Sequence, residues 1–246
     1  MSHYVKIPHL PVGKVGLAVA GERYKARLSA AFEKLNMQIV WLPDSESTDL
    51  RLAGHADLRL VHLGGSRLVS ACGTEIDGIF ESLGFTVVRS RSPGAAYPDD
   101  CRLNVCIVGC RLFHRLDITA GEVLSNLPDV THIGIAQGYA KCCTCIVDSN
   151  SIITSDRGIA SAAEKQGVDV LEIAPGYIGL DGFDYGFIGG ASFKLSEREI
   201  AFTGRLEQHP DWPRMEVFLG RKGVKPVFMT DETAFDIGSV LPLIEI

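Results

Sequence analysis

The chain has 246 residues, enough for one large hydrophobic core or two small ones, and its 46% hydrophobic and 22% charged content excludes a disordered polymer. Twenty-four basic against 30 acidic residues, a net charge of −6, leave no electrostatic reason to expect nucleic acid or an anionic membrane as partner. No apolar run approaches the roughly 20 residues of a bilayer span, and Met1–Gly13 has no signal-peptide core. The seven cysteines, an odd number in a chain too large to need staples, are therefore expected as free thiols of a cytoplasmic protein.

Residues 1–13 read as an N-terminal extension ahead of one domain over 14–246. Lys14–Ala20 is predicted as a short apolar strand. Glu22–Leu35 is predicted helical, with Tyr24, Leu28, Ala31, Phe32 and Leu35 on one face; Asn36 ends it and Met37–Leu42 is the next strand. Asp57–Leu63 and Arg67–Cys72 then form a hairpin around Gly64-Gly65. Thr74 is expected to cap a helix that Gly84 stops, and Phe85–Arg89 follows as a strand. The pattern returns at once: strands Cys101–Val108 and Arg111–Leu116 around Gly109, a helix over Ala120–Leu127, and the strand His132–Ala136.

A third copy has strands Cys142–Val147 and Ser151–Thr154 around Asp148-Ser149-Asn150. Ser155-Asp156 caps its helix, Gly167 stops it, and Val168–Ile173 is its last strand. In the fourth, Tyr185–Lys194 and Glu199–Gly204 are the hairpin, Asp211 caps a helix with Pro213 in its first turn, and Gly223 precedes the strand Val224–Met229. Ile237–Ile244 is left without a partner, as is Lys14–Ala20. Pairing these two ends completes a fifth unit. The expected fold is thus α/β, a five-bladed β/α propeller closed by its N- and C-terminal strands. The competing reading, a dinucleotide fold from Val15–Ala20, a helix, Met37–Leu42 and Asp44, lacks the second and third glycines of the phosphate-binding turn.

In such a ring the residue just before each first hairpin strand faces the common axis. Those positions hold Asp57, Asp100, Lys141-Cys142, Asp184 and Asp236. Converging carboxylates raise one another's pKa unless a cation neutralises them, so the cup suits a small cation, best a planar guanidinium or amidinium held by paired hydrogen bonds. Asp also favours turns that lead into strands, which explains any one of these positions without function.

Five hairpin–helix–strand units with acids at the axis resemble the pentein, or guanidino-group-modifying enzyme, superfamily. It includes arginine deiminases, dimethylarginine hydrolases, amidinotransferases and a non-catalytic ribosome anti-association factor. Leu180-Asp181-Gly182-Phe183-Asp184 is similar to the Leu-Asp-Gly-Gly-Asp segment of the dimethylarginine hydrolases, which implies that Asp184 takes the place of the family's acid. Several further segments look like an uncharacterised bacterial branch of the superfamily. They are Gly54-His55-Ala56-Asp57, Tyr97-Pro98 with Asp100 and Asn104, and Gln137-Gly138-Tyr139 with Lys141-Cys142. Ser155-Asp156, Tyr185-Gly186-Phe187-Ile188-Gly189-Gly190 and Asp236-Ile237-Gly238-Ser239 complete the set. The resemblance departs at one point. Catalytic penteins carry a nucleophilic cysteine on the last strand, where this chain has Asp236-Ile237-Gly238-Ser239-Val240-Leu241-Pro242.

Two functions follow. In the first, Cys142 attacks a guanidino or amidino carbon, with Lys141 or the substrate's own charge offsetting the acidic cup and His55 as general acid or base. This would be a C–N hydrolase or an amidinotransferase-like enzyme, with Asp57, Asp100, Asn104, Lys141, Tyr185, Asp236 and Ser239 around the ligand. In the second, a non-catalytic propeller binds a cationic ligand or a protein through the same end. His62, His114 and His132 lie in strands and read as structural. No organic cofactor is implied. Structural zinc is disfavoured because Cys101, Cys106, Cys110, Cys142, Cys143 and Cys145 lack paired Cys-x-x-Cys spacing. Nothing in the sequence points to a particular oligomer.

Overall fold

The computed structural model describes residues 2–246 and resolves the alternation of short apolar runs and amphipathic segments into small sheets and helices. The first sheet holds β1 (His3–Tyr4), β2 (Val15–Gly21) and β3 (Gln38–Leu42), with α1 (Lys25–Lys34) between β2 and β3. Next come β4 (Leu60–Gly64), β5 (Arg67–Ser70), α2 (Thr74–Ser82) and β6 (Thr86–Arg89). They are followed by β7 (Cys106–Val108), β8 (Arg111–His114), α3 (Gly121–Ser125) and β9 (Thr131–Gly134). A helical turn, α4 (Ala140–Cys143), leads into β10 (Thr144–Asp148), β11 (Ser151–Thr154), α5 (Arg157–Lys165) and β12 (Asp169–Glu172). The last unit is β13 (Ser192–Ser196), β14 (Glu199–Phe202), α6 (Trp212–Arg221) and β15 (Lys225–Phe228), after which β16 (Leu241–Glu245) returns to the first sheet.

Five sheets result, built alike. In each, an antiparallel pair is followed across a helix by a parallel strand, as β4–β5 and β5–β6 show. The two chain ends do pair: β16 lies antiparallel to β2, with register shifts around Pro242, where a strand proline removes a donor. The residues before Lys14 contribute as well, because β1 adds a fourth strand on the outer edge of β16 and Val5 is fully buried.

Local sequence explains most boundaries. Helices end where the backbone turns left-handed, at Asn36, Gly84, Gly167 and Gly223. The Asp156 carboxylate caps α5 by accepting from Ile159 N at 2.9 Å. Two expected caps differ. Gly73, not Thr74, precedes α2. Asp211 stands at the N-cap of α6 but accepts instead from Ala174 N, tying α6 to the neighbouring unit.

Most of the core consists of clusters that each join two consecutive units, and a smaller one gathers Leu52, Leu58 and Cys101 with Tyr139 and Leu180. Val19, Leu42 and Leu241 meet Leu60, Leu68 and Phe80. Val61 and Val69 meet Val105 and Leu112; Val108 and Phe113 meet Ile146 and Ile152. Ile153 meets Ile200, Phe202 and Met215, and Phe193 with Ala201 meets Ala18, Leu28 and Phe32 of the first unit. Phe32, Phe80, Phe113 and Phe202 are among the largest fully buried side chains, each contributing on the order of 1.5–3 kcal/mol. Each sheet therefore depends on the next, and the last on the first. The β16–β2–β3 geometry and the repeated antiparallel pairs replace the dinucleotide reading, and Asp44 is held by Arg23.

All five first strands begin later than the sequence pattern suggests: β4 starts at Leu60 and not Asp57, β7 at Cys106 and not Cys101, and the other three are delayed as well. Cys142 lies on α4 and not on β10; residues 185–191 form loop and turn ahead of β13; residues 237–240 form loop ahead of β16. Those lead-in segments build the site.

Candidate functional site

Every unit reaches its first strand through a lead-in that leaves backbone groups free to bond sideways. Asp57 N donates to Gly238 O, and Asn104 Nδ2 reaches Asp57 O at 3.4 Å. Lys141 N donates to Asn104 Oδ1 at 2.9 Å, Gly190 N to Cys142 O, and both Ile237 N and Ser239 N to Gly190 O. The circuit starts and ends in the segment 236–239. It visits all five units, and side chains projecting from it face one of two ends.

At one end stands Cys142, 2% exposed. Its thiol donates to Asp57 Oδ2 at 3.0 Å and receives Asn104 Nδ2 at 3.3 Å. A ring nitrogen of His55, a carboxylate oxygen of Asp57 and the Cys142 Sγ all lie within 4.8 Å of one another. His55 Nε2 and Asp57 Oδ1 are buried without a partner. Asp236 completes this floor, its carboxylate fixed by Phe187 N and Gly238 N at 2.9 Å each. Burial, then the charges of Asp57 and Asp236, push the Cys142 thiol well above its ordinary pKa, and burial also raises Asp236. The free site thus holds its sulfur protonated.

Above the floor is a cavity of about 220 Å³ to which His55, Cys142 and Asp236 are open. Its walls are Leu52, Leu180, Tyr139, Phe183, Tyr185 and Phe187. The Tyr185 and Phe187 rings meet edge to face at 6.2 Å. Tyr139 donates its hydroxyl to Asp100, whose carboxyl burial pushes up and whose Oδ1 is otherwise unpartnered.

The predicted residues divide accordingly. His55, Asp57, Cys142, Asp236 and Tyr185 come together. Asp100 reaches the cavity only through Tyr139. Asn104, fully buried, supports Asp57 and Cys142 from beneath. Lys141 does not offset the thiol. Consecutive residues on a helical turn point about 100° apart, and Lys141 Nζ donates to Gly189 O and Ser239 Oγ at 3.0 Å each, toward the opposite end. Ser239 faces that end as well, donating to Ser192 O.

Asp184 is also elsewhere. It is exposed, and the axial position of its unit belongs to Gly189-Gly190, where a Cβ on Gly190 would collide with the Asp236 carboxylate. Of the aromatic wall, only Tyr185 is among the residues the sequence predicts for the site. Tyr139 sat beside Lys141-Cys142 in the sequence, which was a usable signal; Phe183 and Phe187 gave none, because an aromatic in a loop has no periodicity to assign its face. His62, His114 and His132 are bonded to main-chain oxygens as expected of structural histidines.

No curated protein matches the chain in sequence. Solved structures match its fold. An agmatine deiminase from C. jejuni superposes with a TM-score of 0.53 over 93% of this chain and 91% of its own, at 10% identity. An amidinotransferase of the saxitoxin biosynthetic pathway from Microseira wollei gives 0.57 over 95% and 97%, at 8% identity. The inosamine-phosphate amidinotransferase of Streptomyces griseus gives 0.52 over 98% and 97%, also at 8%. These are pentein-fold, guanidino-modifying enzymes. With the pentein fold thus shared, and with a family model matched over residues 19–241, the chain belongs to the family of unknown function DUF6873.

Proposed function

We propose that the chain closes as a five-bladed propeller, binds a small guanidino or amidino cation in the cavity, and attacks it with Cys142. The hydrogen-bond circuit and the cyclic succession of core clusters support the closed ring. The observation that carries the chemistry is the Cys142 thiol donating to the buried Asp57, with unpartnered His55 beside it and Asp236 on the same floor. Aromatic walls suit a flat, delocalised cation, and the two carboxylates supply its counter-charge.

A bound cation reverses the penalty on the thiolate. The proton leaves sulfur toward Asp57, the sulfur pair forms a bond to the guanidinium carbon, and the C–N bond to the leaving amine breaks as His55 supplies its proton. The product of this half is a covalent thiouronium. Water, deprotonated by the same histidine, adds to that carbon; the C–S bond breaks, the sulfur takes back the proton held by Asp57, and the ureido product departs as its hydroxyl proton passes through solvent to the released amine. An amine in place of water makes the reaction an amidino transfer.

The test combines thermal-shift screening of arginine, agmatine, creatine and methylated arginines with intact-mass spectrometry. Expected are a stabilising ligand and an adduct that Cys142→Ser abolishes while still binding. Binding without an adduct or turnover would remove Cys142 from the mechanism.

That outcome would favour a second reading, a non-catalytic binder. It is supported by the last lead-in, Asp236–Pro242, which carries no cysteine and whose Ser239 hydroxyl is committed to Lys141 and Ser192.

A further inference from the structure

The three groups on the cavity floor are also a ligand set. We propose that His55, Asp57 and Cys142 form a mononuclear site for a divalent transition metal of the Zn2+ or Co2+ class, with its fourth position open to the aromatic cavity. Three observations carry this. The donor atoms lie within 4.8 Å of one another, and Cys142 Sγ is already 3.0 Å from Asp57 Oδ2. Tetrahedral coordination with bonds of about 2.0–2.3 Å places donors about 3.3–3.8 Å apart, a range that lies between the 3.0 Å and 4.8 Å found here. Two of the residues, each 2% exposed, carry buried atoms without a hydrogen-bond partner among the described residues, His55 Nε2 and Asp57 Oδ1.

Charge favours the same occupant. A carboxylate, a thiolate and a neutral imidazole together balance a divalent ion. Loading breaks the S–H bond, forms a sulfur–metal bond and releases one proton to solvent. Asn104 Nδ2, at 3.3 Å from the sulfur, would donate to the metal-bound thiolate and orient it, as outer-sphere groups do. The cavity and Asp236 remain available to a water or ligand on the fourth position. One sulfur cannot serve both uses at once, so a metal-loaded chain would not form the thiouronium.

The experiment is an anaerobic titration of metal-free, reduced protein with Co2+ alone, without any guanidine. Expected is saturation at one equivalent, with a near-ultraviolet thiolate-to-cobalt band, tetrahedral visible bands, and about one proton released per ion. Cys142→Ser should lose the near-ultraviolet band while keeping its folded circular dichroism. His55→Gln should weaken affinity at least tenfold and retain the band. Cys110→Ser, which removes an exposed thiol remote from the floor, should behave as wild type. Absence of the band at one equivalent, or its persistence in Cys142→Ser, overturns the proposal. Neither result bears on the guanidine reading, which is tested without metal.

Discussion

At the residue scale the site turns on one hydrogen bond, from the Cys142 thiol to Asp57. A carboxylate is a poor neighbour for a nucleophilic sulfur, since it raises the thiol pKa and so reduces the thiolate available at neutral pH. The same carboxylate is a good neighbour for a cation, so in the proposed reaction the sulfur's reactivity is conditional on the ligand. Asp57→Asn separates the two effects. Losing a charge-assisted contact should weaken guanidinium binding about tenfold, the equivalent of about 1.4 kcal/mol, by calorimetric titration. Removing the negative charge should meanwhile speed alkylation of Cys142 by iodoacetamide at pH 8, read by mass spectrometry. If both fall, Asp57 holds the pocket's shape and does not tune its sulfur.

At the scale of elements, the lead-ins matter more than the strands they serve. Gly190 illustrates why. Its N–H and C=O join the fourth unit to the first, through Cys142 O and the amides of Ile237 and Ser239. A Cβ there meets the Asp236 carboxylate, whose oxygens are already fixed by Phe187 N and Gly238 N. Gly190→Ala should therefore cost about 1–3 kcal/mol in urea unfolding, the usual range for overpacking, and should abolish ligand binding by turning Asp236 away. Unaltered stability and binding would mean that the lead-ins are looser than their hydrogen bonds imply. Gly220, on the outer helix α6 with open space around it, is the control: the same substitution there should be neutral or stabilising.

At the scale of the whole molecule, units that cannot stand alone share their cores with their neighbours, and buried polar groups between them link stability to pH. His62 and His114, both buried, are held down to about 4 by desolvation, against 6.5 in the unfolded chain. Their contribution is present above pH 6.5 and is lost as pH falls through 4, because the unfolded chain takes up protons the folded one refuses. The loss is on the order of 3 kcal/mol for each. Asp100 and Asp236, with raised carboxyls, act in the opposite sense. Urea midpoints at pH 7, 5.5 and 4.5 should therefore fall less steeply in His62→Gln and His114→Gln than in wild type; parallel slopes would show that these histidines do not govern acid stability.

Much of this architecture is legible in sequence. The repeated order of two strands, a helix and a strand, the stops at Asn36, Gly84, Gly167 and Gly223, and the two unpaired ends announce five units and the pairing of the chain's first and last strands, since periodicity and turn chemistry are local properties. Asp57, Cys142 and Asp236 are legible for the same reason, each standing just ahead of its unit's first strand, and His55 is legible from its place two residues before Asp57. What a chain segment faces across the ring is not local. Whether Lys141 points to the thiol or away depends on a helical turn that pattern alone read as strand. That Gly189-Gly190, and not Asp184, reaches the centre depends on how closely Asp236 approaches it from another unit. The aromatic wall, drawn from three separate loops, exists only once those loops are brought together. Composition and period determined the units; only tertiary packing decided which side chains share a cavity, because burial and electrostatic coupling act between residues far apart in the chain.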